Sequence, residues 1–262
     1  MRCKSLLKML YWFLSEAGFM NIILISDRDL LEDDTYVFYK YDERYLHIKK
    51  ILKLSVGGKF KAGIINGKIG SALIIFFGSE RLVFSFSETA IPFCLPPINL
   101  ILGFPRPIQL RRILRDAASL GFLHLFLSGT ELGEKSYLNS NLASYEEVQK
   151  YLLEGISQAG QNLLPAFSFF NSIKECVNSN FFCMKQKKIL LDISENAEPL
   201  AGLKLNRDET VTAAIGSERG WSDCERKIFY EAGFKPYSLG KRILRTETAV
   251  CAALSIIIAN NF

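Results

Sequence analysis

Residues 214–258 read AIGSERGWSDCERKIFYEAGFKPYSLGKRILRTETAVCAALSIII, and this stretch decides the fold. An apolar, β-branched run, Thr210 to Ile215, ends at Gly216. A tight loop follows, from Gly216 to Trp221. Ser222 and Glu225 then have capping-box spacing, which predicts a helix start. Gly233 suits its left-handed C-terminal cap. Pro236 to Leu239 restart an extended segment, and Gly240 opens a second loop, Lys241 to Thr248. The last helix, Ala249 to Ala259, is apolar on nearly every side, which predicts burial. Two strands thus each end in a glycine loop that enters a helix. That arrangement sets backbone N–H groups at the carboxyl edge of a sheet, where open α/β folds bind ligands. Spacing alone is equally compatible with two ordinary strand-to-helix turns.

The residue identities go further. Glu218, Gly220, Trp221, Ser222, Asp223 and Glu225, then Glu231-Ala232-Gly233-Phe234, then Leu239-Gly240 and Arg242 to Ala249, form a dense pattern. It resembles the C-terminal signature of the RsmE family, methyltransferases acting on N3 of a uridine in small-subunit ribosomal RNA. The resemblance implies the SPOUT class: a mostly parallel sheet with helices on both faces and a C-terminal chain threaded into a trefoil knot. Such threading is a rare exception among folds, and local periodicity does not reveal it. It also implies an N-terminal PUA-like small β-barrel that binds RNA, a homodimer, and S-adenosyl-L-methionine as methyl donor. By the same resemblance, Gly216, Ser217, Glu218, Gly220, Leu239, Gly240, Ile243, Leu244 and Thr248 enclose that donor. Arg245 is the candidate for stabilising the uracil anion, and Glu247 for proton handling or for orienting Arg245. An Arg245–Glu247 pair that only fixes the loop is the competing reading.

The middle of the chain departs from the family pattern. Asp116, Ser119, Leu132 and Gln161 stand where the family has cations or a carboxylate. Ser217 replaces a proline and Arg219 a glycine. If that glycine served at positive φ, arginine there would cost about 1–2 kcal/mol. These changes leave open a non-catalytic or retargeted RNA-binding or ribosome-assembly protein. A nicotinamide-binding Rossmann domain is disfavoured, because no G-x-G-x-x-G follows a strand.

The 262 residues carry a formal charge of +5 and are 49% hydrophobic, so a substantial core is expected, and the mild basicity suits RNA. Cys3, Cys94, Cys176, Cys183, Cys224 and Cys251 form no C-x-x-C pair, and the histidines are His47 and His124 alone. No metal site is expected. Scattered thiols fit a cytoplasmic protein better than a disulfide framework. Cys224 and Cys251 fall in predicted helices among apolar neighbours, an unpromising setting for a nucleophile. No run approaches the ~20 apolar residues of a membrane span.

Residues 1–19 read as an N-terminal extension, with Met20 the natural start in the family's manner. Residues 20–90 are β-rich, with strands at Tyr36–Tyr39 and Leu73–Phe77, a helix over 42–54, and the hairpin signal Asn66-Gly67. Lys49, Lys50 and Lys53 are the candidate RNA-binding residues, with Lys59, Lys61 and Lys68 nearby. His47 is expected to face solvent. Five of the eight prolines lie at Pro92, Pro96, Pro97, Pro105 and Pro107, which puts a domain boundary near Ile91 and a methyltransferase domain over 91–262. There the pattern alternates: strand 98–102, helix 108–120, strand 123–127, helix 144–158, strand 189–193. It implies a parallel sheet covered on both faces. Lys185 to Lys188 reads as a solvated turn.

Overall fold

The computed structural model describes residues 21–261 apart from 93, 139, 141–142, 182–185 and 207–208. The expected extension over 1–19, Met20, Cys3, Cys183 and Lys185 therefore lie outside the described residues.

Strands β1 (Ile23–Ile25), β2 (Tyr36–Tyr39), β3 (Lys59–Ile64), β4 (Ile69–Phe77) and β5 (Arg81–Ala90) form one sheet in the order β1-β3-β4-β5-β2. Only β1 and β3 run parallel. The Asn66-Gly67 turn joins β3 to β4, with Asn66 in the left-handed region at φ 58°. Helix α1 (Glu43–His47) starts where Asp42 accepts the Arg44 N–H, and continues into a wide π-type turn, Ile48–Leu52. Tyr45 and Ile48 from that segment fill the sheet's interior against Phe38, Phe60 and Phe84.

The second sheet has seven strands, all parallel, in the order β10-β12-β9-β11-β6-β7-β8. Its elements in chain order are β6 (Ile98–Gly103), α2 (Pro107–Leu120), β7 (His124–Ser128), α3 (Lys135–Leu138), α4 (Tyr145–Gln158), β8 (Ala166–Phe170), α5 (Ile173–Val177), β9 (Lys187–Leu191), β10 (Glu198–Pro199), β11 (Val211–Ile215), α6 (Asp223–Glu231), β12 (Lys235–Ser238) and α7 (Thr246–Asn261). The central strands β6, β7 and β11 are apolar on both faces, as a doubly covered sheet requires. Leu100, Leu125, Ile189 and Ala213 pack with α2, α4 and α7. Their neighbours Ile101, Phe126, Leu190 and Ala214 pack with α5, α6 and Trp221.

Strand β1 belongs to both cores. Ile23 and Ile25 point into the first sheet's interior, whereas Ile22 and Leu24 join the cluster around α4. Hydrogen bonds close this junction: Ile22 N–H donates to the Ser157 carbonyl (3.0 Å), and Ser157 Oγ donates to the Ile22 carbonyl (2.6 Å). Fully buried Asn162 donates to the carbonyls of Ile64 (2.5 Å) and Gly67 (3.0 Å).

Four expectations need correction. Lys187 and Lys188 are strand residues rather than a solvated turn, because they pair with Val211 and Thr212 of β11. Lys188 Nζ donates to the Ala232 carbonyl at 2.9 Å, placing a cation at the carboxyl end of α6. Helix α7 begins at Thr246 rather than Ala249, since the Arg245 carbonyl already accepts the Ala249 N–H at 2.8 Å. It is buried along one side only, through Val250, Ala253, Leu254 and Ile257, while Thr248 and Ser255 face outward. Cys224 is exposed on α6, not set among apolar neighbours.

Candidate active site

Strands β11 and β12 are separated by β9, so the two glycine loops leave one carboxyl edge about 10 Å apart. The first loop leads to α6 on one face of the sheet, the second to α7 on the other.

The first loop is locked to its neighbours. Gly220 N–H donates to the Ser217 carbonyl at 2.9 Å, and Gly220 takes φ 68°, a conformation that favours glycine. Glu218 Oε1 accepts the Arg106 N–H at 2.9 Å, tying the loop to the start of α2. A Cβ on Gly103 would lie 2.8 Å from both Ser217 N and Thr130 Cγ2, so the turns after β6, β7 and β11 meet at a point only glycine permits. Ser222 and Glu225 form the expected capping box. Glu225 also accepts the Glu131 N–H, and Ser222 Oγ donates to the Glu131 carboxylate.

Several buried polar atoms at this edge have no hydrogen-bond partner among the described residues: Gln109 Oε1, Thr130 Oγ1, Ser194 Oγ, Ser217 Oγ and Trp221 Nε1. They follow β6, β7, β9 and β11 in turn, four strands that are adjacent in the sheet. A buried unpaired polar group costs about 1–3 kcal/mol, so five of them behind one sheet edge leave hydrogen-bonding capacity for an absent polar partner. Of the five, only Ser217 was among the residues expected from sequence. The Gly129-Thr130 turn after a strand, with Gly133 three residues on, was the local signal for Thr130.

The second loop is more open. Gly240 has φ 107°. Leu239 and Leu244 are half-buried, whereas Thr248 is exposed and Ile243 is 85% exposed. Arg245 Nη1 stands 4.0 Å from Glu247 Oε1, and the arginine side chain is 78% exposed. That separation is too long for a hydrogen bond, so the pair does not pin the guanidinium.

Arg219 is not strained. The described non-glycine residues at positive φ are Asp34, Lys53 and Asn66. The expected penalty for replacing glycine there is therefore absent. Its guanidinium instead reaches the loop after β7, donating to the Leu132 carbonyl at 3.3 Å with Glu134 at 3.8 Å.

Lys49, Lys50 and Lys53 come together on the turn that ends α1, all exposed and remote in the chain from both loops. Lys49 lies over the Tyr45 ring and lines a cleft of about 650 Å³ with Val56 and Phe77. A second cleft, of about 630 Å³, runs between β1 and α4; His47, half-buried rather than facing solvent, lines it. Neither cleft touches the glycine loops. The imidazole of His124 stacks on Phe126 and bonds Ser168 Oγ, and burial lowers its pKa, so it is a neutral core residue. Burial, with Asp116 and Glu247 adding to it, raises the Cys251 pKa and keeps it a thiol. Among the described residues no group of three or more His, Cys, Asp or Glu could hold a metal ion. No described helix is long and apolar enough to cross a membrane.

This fold and edge are those of an RNA methyltransferase domain: the family of that description matches residues 94–258, from ahead of β6 into α7. The ribosomal RNA small subunit methyltransferase E of Treponema pallidum is 43% identical over 245 residues, covering 92% of this chain and 91% of the relative. The ribosomal RNA small subunit methyltransferase E 1 of Borreliella burgdorferi is 31% identical, covering 84% and 90%. The chain belongs to the ribosomal RNA small subunit methyltransferase E family. The Neisseria gonorrhoeae family member, solved bound to S-adenosyl methionine, shares the fold at a TM-score of 0.73 and 20% identity, covering 91% of this chain and 97% of that one.

Proposed function

We propose that the chain methylates N3 of a uridine in small-subunit ribosomal RNA, with S-adenosyl-L-methionine held between the two glycine loops. The row of unpartnered polar atoms at the carboxyl edge carries this reading. The donor's amino, carboxylate, ribose and adenine groups need the kind of partners that Ser217, Thr130, Ser194 and Trp221 leave unused. When bound, it supplies a methyl on a positively charged sulfur. Backbone groups of Gly216, Glu218 and Gly220 on one side, and of Leu239, Gly240, Ile243 and Leu244 on the other, hold it, with Thr248 at the rim.

The chain's own task is alignment and proton removal. The uridine N3 is a weak acid and reacts after losing its proton. The exposed Arg245 guanidinium is free to face the uracil oxygens and stabilise that anion. Glu247, whose side chain is only 15% exposed, either receives the N3 proton or orients Arg245. No protein nucleophile is needed, in keeping with the un-ionised Cys251.

The same reading makes residues 91–262 a SPOUT domain with a trefoil knot and residues 20–90 a PUA-like barrel whose Lys49, Lys50 and Lys53 meet RNA phosphates. It also makes the chain a two-fold dimer, in which the open second loop and exposed Ile243 lie beside the partner. The small subunit is the macromolecular partner, and the cytoplasm the place of action. The alternative of a non-catalytic RNA-binding protein is not favoured: it leaned on the altered first loop and on the missing mid-chain cations, and in the first loop Arg219 is unstrained.

The test is methyl transfer to small-subunit ribosomal RNA from a strain lacking this modification, mapped by mass spectrometry. Methyl appearing on one uridine N3 is the expected result. Donor binding without transfer to any RNA would overturn the reading.

A further inference from the structure

Arg219 sits on the rim of the edge just described, and its chemistry is unspent. Its guanidinium is 67% exposed and makes two loose contacts, at 3.3 Å to the Leu132 carbonyl and 3.8 Å to Glu134 Oε1. Five N–H donors in a planar fork leave several directed outward. The neighbouring Glu218 does not compete for it, because its carboxylate is turned to the Arg106 N–H. Arg106 is itself exposed beside it, so two arginines flank the mouth of the first loop.

The pairing of 219 with 132 is specific to this chain. Leu132 stands where the family pattern has arginine, and Arg219 where it has glycine. The contact between the Arg219 side chain and the Leu132 backbone brings a guanidinium beside the loop position whose own side chain no longer carries one. It comes from the facing loop, and the arginine's backbone is unstrained.

We infer that Arg219 is a substrate-binding residue that grips an RNA phosphodiester beside the target nucleotide, replacing the cation missing at position 132. This rests on the RNA methyltransferase reading. A phosphate suits the group: a guanidinium binds it through two parallel N–H···O bonds, and Glu134 is distant and half-exposed enough to yield. The rival is a loop clasp that merely ties the β11 turn to the β7 turn.

Binding of a small-subunit ribosomal RNA fragment by fluorescence anisotropy across salt concentrations, with donor titration and methyl transfer in parallel, separates the two. Arg219→Ala is expected to weaken RNA binding about tenfold. It should lower the slope of log affinity against log salt by about 0.7 to 0.9 and leave donor affinity unchanged. The double variant Leu132→Arg/Arg219→Gly should recover most of the loss. RNA affinity and salt slope unchanged in Arg219→Ala would overturn the inference, as would loss of donor affinity and of thermal midpoint with RNA binding intact. A wild-type chain that binds RNA through Arg219 yet transfers no methyl would sink the enzymatic reading while upholding this one.

Discussion

Glu225 Oε1 accepts the backbone N–H of Glu131 at 2.9 Å, joining the start of α6 to the loop after β7. The other carboxylate oxygen accepts the Ser222 N–H, also at 2.9 Å, and Glu225 is 2% exposed. One side chain therefore closes a helix start and fixes one wall of the candidate site. Glu225→Ala leaves both N–H groups without their carboxylate partner and empties a buried position between the two elements. A loss of about 2–4 kcal/mol in urea unfolding is expected. Glu225→Gln, which keeps one acceptor oxygen, should lose about half as much.

Arg245 is expected to separate chemistry from binding. Its partner is 4.0 Å away and its side chain is mostly exposed, so Arg245→Met should leave stability within about 0.5 kcal/mol. Donor affinity from calorimetry should hold, while kcat falls at least 100-fold, by about 2.7 kcal/mol or more. Parallel loss of donor affinity and thermal midpoint would instead make the pair a structural fixture of the loop.

The first sheet has a partly buried ionic cluster whose disruption should be costly. Arg44 bonds Asp29 at 2.7 and 2.8 Å, Asp42 at 2.7 Å and the Leu24 carbonyl at 2.8 Å, and lies 4.0 Å from the Phe38 ring. Arg44→Met leaves the Asp29 carboxylate, whose side chain is only 9% exposed, with its Ser26 hydrogen bonds but no countercharge from Arg44. A loss of about 3 kcal/mol is expected by denaturant titration. Replacing Arg44 and Asp29 together by apolar residues should cost less than the single change.

Alkaline pH should weaken the fold through Cys176. Burial, with a smaller contribution from Glu175, pushes its thiol from 9.0 up to about 12. Between those values the unfolded chain has released the proton and the folded chain has not, so stability falls as pH rises. The loss is about 1.4 kcal/mol per pH unit above 9 and is absent below it. Cys176→Ala should flatten this limb of the stability profile. In the native wild-type chain a thiol reagent at pH 8 should modify Cys94 and Cys224, which are exposed, and spare Cys176.

Lys49, Lys50 and Lys53 offer a test of the first sheet as an RNA surface. Each phosphate contact to single-stranded RNA contributes about 0.7 to the slope of log affinity against log salt. Replacing all three by glutamine should therefore reduce the slope by about 2. An unchanged slope would move the RNA interface elsewhere.

Much of this fold is legible locally. Ser222 and Glu225 announced α6, Gly121 and Gly233 marked helix ends, and the apolar runs at 98–102 and 211–215 became central parallel strands. What sequence hid was pairwise. Lys188 reads as a surface charge until β11 pairs beside it, at Thr212, and the end of α6 comes within reach of its ammonium group. Ile22 and Leu24 cannot be assigned to a second core before α4 is set against β1. The same holds at the site. The glycines of both loops could be read directly, but Thr130 and Ser194 are common residues in common positions. Their meaning comes from burial without a partner, a property of the assembled edge. Arg219 looked like damage because its φ was unknown; in place it is unstrained and only loosely held by the facing loop.

The central claim is that the two glycine loops at one sheet edge together hold the methyl donor. Amide hydrogen exchange with and without S-adenosyl-L-methionine tests it most directly. Slowed exchange is predicted in both 216–221 and 240–245, with little change at the clefts beside Lys49 and His47. Protection confined to either cleft, or to one loop with the other unaffected at saturating donor, would contradict the account.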